Sequence, residues 1–158
     1  MLEHEINKKL RVFHVAFSDI RGGASRAAYR VHKSLNRNSE KLNIDSFMRV
    51  ISKTSDDYSV TSGTPNNNKL SYSFHRILNK VVRSTYSSEN KNFFSIAWPS
   101  TGLAKELNNM YQNKKLDIVN LHWLGSNTIS INEIGKLKMP LFWRLADQWA
   151  FCGCEHYT

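Results

Sequence analysis

Leu10-Arg11-Val12-Phe13-His14-Val15-Ala16-Phe17 runs into Ser18-Asp19-Ile20-Arg21-Gly22-Gly23, and then into Ala24-Ser25-Arg26-Ala27-Ala28-Tyr29-Arg30-Val31-His32-Lys33-Ser34-Leu35. These three pieces decide the fold class. The first is rich in β-formers and almost continuously apolar, the pattern of a strand buried on both faces. The second is a turn built around a Gly-Gly pair. In the third, Ala24, Ala27, Ala28, Val31 and Leu35 fall on one helical stripe, and its small residues let a helix lie close against a sheet. Residues 44–51 supply a second strand, whose alternating first half suits a position nearer the sheet edge. Strand, glycine turn, helix and strand make a βαβ unit.

Working outward, residues 52–68 turn polar, with Asp56-Asp57, Ser62-Gly63-Thr64-Pro65 and three successive asparagines, and read as an exposed loop. Leu70, Phe74, Ile77, Leu78 and Val81 recur at helical spacing with Arg76, Lys80 and Arg83 on other faces, which predicts a basic amphipathic helix. Residues 92–98 read as a short strand. Thr101-Gly102 leads into a helix carrying Leu103, Leu107, Met110 and Tyr111. Residues 117–121 form the next strand, which ends on His122-Trp123. Ile131, Ile134 and Leu137 mark a short helix, and residues 140–145 a last strand. Strands that alternate with helices predict an α/β fold, a Rossmann-like, doubly wound parallel sheet.

The 158 residues carry 22 Lys plus Arg against 13 Asp plus Glu, a formal charge of +9. With 41% hydrophobic residues the chain can bury a core, which argues against wholesale disorder. No apolar run approaches the roughly 20 residues that cross a bilayer. The start, Met-Leu-Glu-His-Glu-Ile-Asn-Lys-Lys, has early acids and no apolar core, so it does not read as a secretory signal. Cys152 and Cys154 are too close together to staple a fold. A cytoplasmic setting follows as the expectation. The basic balance suggests an anionic partner: nucleic acid, an anionic membrane or a phosphorylated substrate, against the plain alternative of a solvated basic surface. No helix-turn-helix, RNP-like or zinc-finger pattern accompanies the charge, so nucleic acid is the least favoured.

In open α/β sheets ligands bind beyond the carboxyl ends of the strands, so the segments after each strand are the candidate site. In Arg21-Gly22-Gly23-Ala24 the two residues without Cβ would let the backbone approach a ligand closely, and the following helix presents N–H groups to an anion, although a tight turn has the same composition. His122 could act as a base or donor and Trp123 as a wall against a sugar or base ring; a packed histidine is the alternative. Asp147 stands where a carboxylate could meet a substrate hydroxyl and Trp149 could line the same cleft, while helix capping and core packing are their structural alternatives. Cys152, Cys154 and His156 offer three ligands at a spacing unlike the four of structural zinc sites, so no metal is assigned.

Three blocks resemble the amino-terminal half of a bacterial glycosyltransferase: residues 18–30 with Ile20-Arg21-Gly22-Gly23-Ala24, residues 116–123 with Asn120-Leu121-His122-Trp123, and residues 140–151 with Asp147-Gln148-Trp149-Ala150-Phe151. The group resembled is glycosyltransferase family 4, in its colanic-acid and exopolysaccharide branch. The resemblance implies a GT-B architecture of two Rossmann-like domains, of which residues 1–158 make an incomplete acceptor-side domain without the carboxy-terminal donor domain. It implies retaining transfer from a nucleotide-sugar to a growing polysaccharide or lipid-linked glycan, with no cofactor or required metal. His122 and Asp147 would then be catalytic, and Gly22, Gly23, Ala24, Arg26, Trp123 and Trp149 would bind substrate, the glycine loop closing over the donor phosphates. The implied partners are the nucleotide-sugar and the glycan acceptor, with a peripheral place at the inner face of the membrane and negligible activity for the chain alone. Two departures stand out: relatives carry His or Ser where this chain has Ala146, and Thr-Gly-Gly-Cys-His where it has Cys152-Gly153-Cys154-Glu155-His156. The alternative is a non-catalytic basic module that docks, through residues 70–83, on an anionic membrane surface or a partner subunit.

Overall fold

The computed structural model describes residues 8–63, 77, 81, 101–125 and 128–146. In chain order these form β1 (Leu10–Ser18), α1 (Gly23–Arg37), α2 (Ser39–Leu42), β2 (Ile44–Ser52), β3 (Val60–Ser62), α3 (Leu103–Gln112), β4 (Ile118–Leu121), α4 (Ile131–Ile134) and β5 (Leu141–Trp143). The five strands make one all-parallel, Rossmann-like sheet in the order β3-β2-β1-β4-β5. The chain therefore builds outward from β1 on one side, then returns to build outward on the other.

Each face of β1 feeds a different core, because successive side chains of a strand point to opposite faces. Phe13 and Val15 join Leu103 and Leu107 of α3, Val119 and Leu121 of β4, and Leu116, Leu124, Ile129 and Met139. Ala16 faces the other way and packs with Ala28 of α1, Met48 and Val50 of β2 and Val60 of β3. Ala28 is fully buried, but the buried face of α1 runs through Ser25, Ala28 and His32, and Val31 of the expected apolar stripe is exposed.

At the amino end of the sheet, Arg11 and Asp117 lock β1 to β4. The guanidinium meets the carboxylate through two bonds of 3.0 Å, and the Arg11 N–H adds a third at 2.9 Å. This fork-like pairing is among the stronger polar contacts available, and it holds the Asp117 carboxyl well below the usual carboxylate range.

The strands and helices expected around residues 10–17, 24–35, 44–51, 103–111, 117–121, 131–137 and 140–145 are all present, with ends shifted by a few residues. Two readings need correction. The polar stretch 52–68 contains β3, whose three residues pair with Met48, Arg49 and Val50. Three residues with one buried side chain, Val60, leave too little apolar periodicity to read. The second correction follows from the first: β2 lies inside the sheet, and only its alternating first half lies beyond the reach of β3. The expected strand at 92–98 and most of the expected helix at 70–83 lie outside the described residues. Ile77 and Val81 are helical, and both are exposed. Among the described residues, no helix is long and apolar enough to cross a membrane.

Candidate functional site

A sheet that grows in both directions from its first strand has a switch point, here between β1 and β4, where the following loops diverge and leave a crevice. The two strand ends are held together by backbone bonds. His122 N–H donates to Val15 O at 2.9 Å, Phe17 N–H donates to Trp123 O at 3.0 Å, and Arg144 N–H, just past β5, donates to Leu121 O at 2.8 Å. Phe17 and Trp123 also meet edge to face, with ring centres 5.7 Å apart.

Beyond β1 the chain turns through Asp19, whose side chain is fully buried. Its carboxylate accepts from Ile20 N–H at 2.8 Å, from Thr54 N–H and Oγ1 at 3.0 and 2.8 Å, and from Ser55 N–H at 2.8 Å. Burial alone would raise its pKa, but the donors of Ser55, Thr54 and Ile20 outweigh burial and hold the carboxyl well below the usual range. Asp19 thus ties the loop after β1 to the loop after β2. It is not an N-cap for α1.

That matters for the glycine pair. Gly22, the N-cap of α1, has φ 86° and ψ 167°, a combination open essentially only to glycine. Among the described residues no side chain caps the helix, and no acidic residue occupies its first turn. Gly22, Gly23 and Arg26 are exposed, so the first turn of α1, which follows β1 directly, is open to solvent. Gly22→Ala should cost about 1–3 kcal/mol of stability through backbone strain. Gly23 is helical and an added Cβ would meet no atom within 4 Å, so Gly23→Ala should be neutral or mildly stabilising. Paired urea titrations of the two variants measure this contrast.

His122 is only 2% exposed. Its Nε2 lies 2.9 Å from Nδ1 of His14, which projects from the middle of β1 and is fully buried. The ring centres are 5.1 Å apart with planes tilted by 26°, so the two nitrogens face along the line joining the rings. Among the described residues, His14 Nε2 and His122 Nδ1 are buried with no hydrogen-bond partner. A neutral pair therefore always has one spare donor and one spare acceptor, whichever way the central proton lies. Burial holds both rings neutral: His14 falls to about 3, with His122 and His32 adding repulsion, and His122 falls to about 4, with Arg144 adding to burial.

Gly22, Gly23, Ala24 and Arg26 follow β1 and His122 and Trp123 follow the adjacent β4, with Trp123 half-buried and His122 buried. Asp147 and Trp149, and the Cys152, Cys154 and His156 cluster, lie outside the described residues. Among the described residues no group of three or more metal-ligating side chains occurs. Sequence reasoning missed His14 and Asp19. A lone histidine inside an otherwise apolar strand was the available signal for the first, and an aspartate one residue past the strand end for the second.

No family model matches the chain, and neither the curated proteins nor the solved structures contain a significant match. The residues and their geometry therefore carry the functional argument.

Proposed function

We propose that this chain is the acceptor-side half of a nucleotide-sugar-dependent glycosyltransferase of the family 4, GT-B kind, transferring a sugar with retention to a growing polysaccharide or lipid-linked glycan. One observation supports the reading: α1 follows β1, the first strand at the switch point of a parallel sheet, on a glycine-only N-cap backbone with no side-chain cap among the described residues. That combination suits a diphosphate. Trp123, half-buried at the end of β4, offers a ring on which a sugar would stack, with His122 buried behind it. In this proposal Asp147 and Trp149 complete the cleft, no metal is needed, and the donor domain supplies most of the nucleotide contacts.

The test is nuclear magnetic resonance titration of the 158-residue chain with a nucleoside diphosphate, alongside a transfer assay. Expected are shifts confined to residues 21–26 and 122–123, their loss in Arg26→Ala, and negligible transfer by the chain alone. Shifts elsewhere, or none, would sink the site; measurable donor-dependent transfer would sink the claim that the half is inactive.

A second reading rests on a different observation. Ile77 and Val81, four residues apart, are 63% and 56% exposed, and Arg76, Lys80 and Arg83 are near them in the sequence. Exposed apolar residues among cations suit an anionic membrane surface. Co-sedimentation with liposomes should rise with anionic lipid content; indifference to lipid charge would dispose of this reading.

A further inference from the structure

Around the amino-terminal half of β2, α1 and the β2–β3 loop enclose a second polar cluster, whose His32 ring meets the His14 ring edge to face at 5.9 Å. His32 of α1 is fully buried. Its Nδ1 lies 2.8 Å from Ser46 Oγ on β2, and its Nε2 lies 2.8 Å from Ser59 Oγ. The Ser59 hydroxyl donates to Asp57 Oδ1 at 2.7 Å. The other oxygen of Asp57 accepts from Tyr29 Oη at 2.8 Å and from Lys33 Nζ at 2.9 Å.

The proton positions in this cluster follow from donor and acceptor rules. Burial opposes ionisation of Asp57, but Ser59, Lys33 and Tyr29 outweigh it and keep the carboxyl ionised. An ionised carboxylate only accepts, so the Ser59 hydroxyl proton is committed to Asp57. The Ser59 oxygen is then an acceptor, and His32 Nε2 must carry the ring's N–H. Burial keeps His32 neutral, at about 4, so its Nδ1 holds a lone pair. The Ser46 hydroxyl must donate to that lone pair. The Asn36 amide nitrogen is 3.4 Å from Nε2, too long to compete with the 2.8 Å bond to Ser59. Every proton in the array therefore points the same way, from Ser46 through His32 and Ser59 to Asp57.

This polarity is that of an activated nucleophile: a hydroxyl bonded to a neutral base, whose far nitrogen is held by an oriented group that ends in a carboxylate. Ser46, itself 4% exposed, and Ser59, Asn36 and Lys33 are among the residues that line an open cavity of about 680 Å³ running along β2. Packing alone explains why these groups are satisfied, but not why their one unbranched end is a serine beside a cavity.

We propose that Ser46 is a nucleophile for small activated esters entering this cavity, with His32 as its base and Ser59 and Asp57 as positioning residues. Ser46 Oγ adds to the ester carbonyl carbon while its proton passes to His32 Nδ1. The carbonyl–oxygen bond to the leaving group breaks, and the departing alcohol takes that proton. Water then adds to the acyl-serine with His32 again accepting a proton, and releases the carboxylic acid and free Ser46. The inference stands independently of the glycosyltransferase reading.

The experiment treats the folded 158-residue chain with a fluorophosphonate probe, in which Ser46 would displace fluoride, and locates the adduct by peptide mass spectrometry. The expected result is one adduct, on Ser46, formed roughly 100-fold faster than on the same chain unfolded in urea, the gain a general base supplies. Ser46→Ala should abolish it, His32→Gln should return it to the unfolded rate, and Ser59→Ala should slow it by about tenfold, with folding checked by circular dichroism. A parallel burst of 4-nitrophenol from 4-nitrophenyl acetate should follow the same order. No adduct on the wild-type chain, an adduct at another residue, or equal labelling in urea would overturn the proposal without recourse to any variant.

Discussion

Taking the protein from pH 7.5 to pH 5.5 should lower its unfolding free energy by about 4 kcal/mol, through three buried histidines. His14 sits at about 3 through burial and the neighbouring His122 and His32, His32 at about 4 through burial, and His122 at about 4 through burial and Arg144. Unfolded imidazoles take up protons near pH 6.5, whereas the folded ones resist until about pH 3–4. Between those limits the unfolded chain binds more protons, so stability rises with pH and is lost as pH falls below about 6.5. Each histidine costs roughly 1.4 kcal/mol per pH unit across that window. Urea titrations between pH 7.5 and 5 should show a slope approaching three protons, falling to two in His14→Leu. A flat profile over that range would contradict the buried neutral cluster. The depressed carboxyls of Asp19, Asp57 and Asp117 act in a lower window, since their stabilisation is lost only as pH falls beneath the ordinary carboxylate range.

Glu133→Ala should cost about 3 kcal/mol or more, the largest effect of any single substitution considered. Glu133 is 2% exposed and lies in α4, where it forms a capping box with Ser130. The same carboxylate crosses to the start of α3, accepting from Thr101 N–H at 2.7 Å, Thr101 Oγ1 at 2.9 Å and Gly102 N–H at 2.7 Å. One side chain therefore serves the N-termini of two helices, with its charge favourably placed against both dipoles. Truncation leaves buried N–H groups without acceptors. Glu133→Gln keeps the shape, but its NH2 group meets donors, so it should recover only part of the loss. Ser130→Ala, which removes one cap bond, should cost about 1 kcal/mol. The midpoint in urea should drop in that order, Glu133→Ala furthest, with the dependence on urea unchanged.

Both expectations turn on contacts that join distant parts of the chain. The periodicity of Ala24, Ala27, Ala28, Val31 and Leu35 misplaces the buried side of α1, which runs through Ser25, Ala28 and His32 while Val31 is exposed, because polar partners on β2 and its following loop draw His32 inward. Glu133 reads as an ordinary acidic residue in a short helix, and its role emerges only where α4 meets α3. Likewise β3 is recognisable only through its pairing with Met48–Val50, since a three-residue strand carries almost no pattern of its own.

The order of apolar runs, glycine turns and amphipathic stripes determined by itself that this chain makes a parallel α/β sheet and that its strand ends carry Gly22, Gly23, His122 and Trp123. Those are local properties, legible because backbone geometry imposes periods of 2 and 3.6 on what a buried face can tolerate. Only the tertiary structure decided that His14 meets His122, that Asp19 ties two loops instead of capping α1, and that Ser46, His32, Ser59 and Asp57 share one line of protons. Hydrogen bonds between residues tens of positions apart depend on register and side-chain direction. Burial then makes them matter, because removing water turns each unpaired polar atom into a cost and each paired one into a fixed orientation.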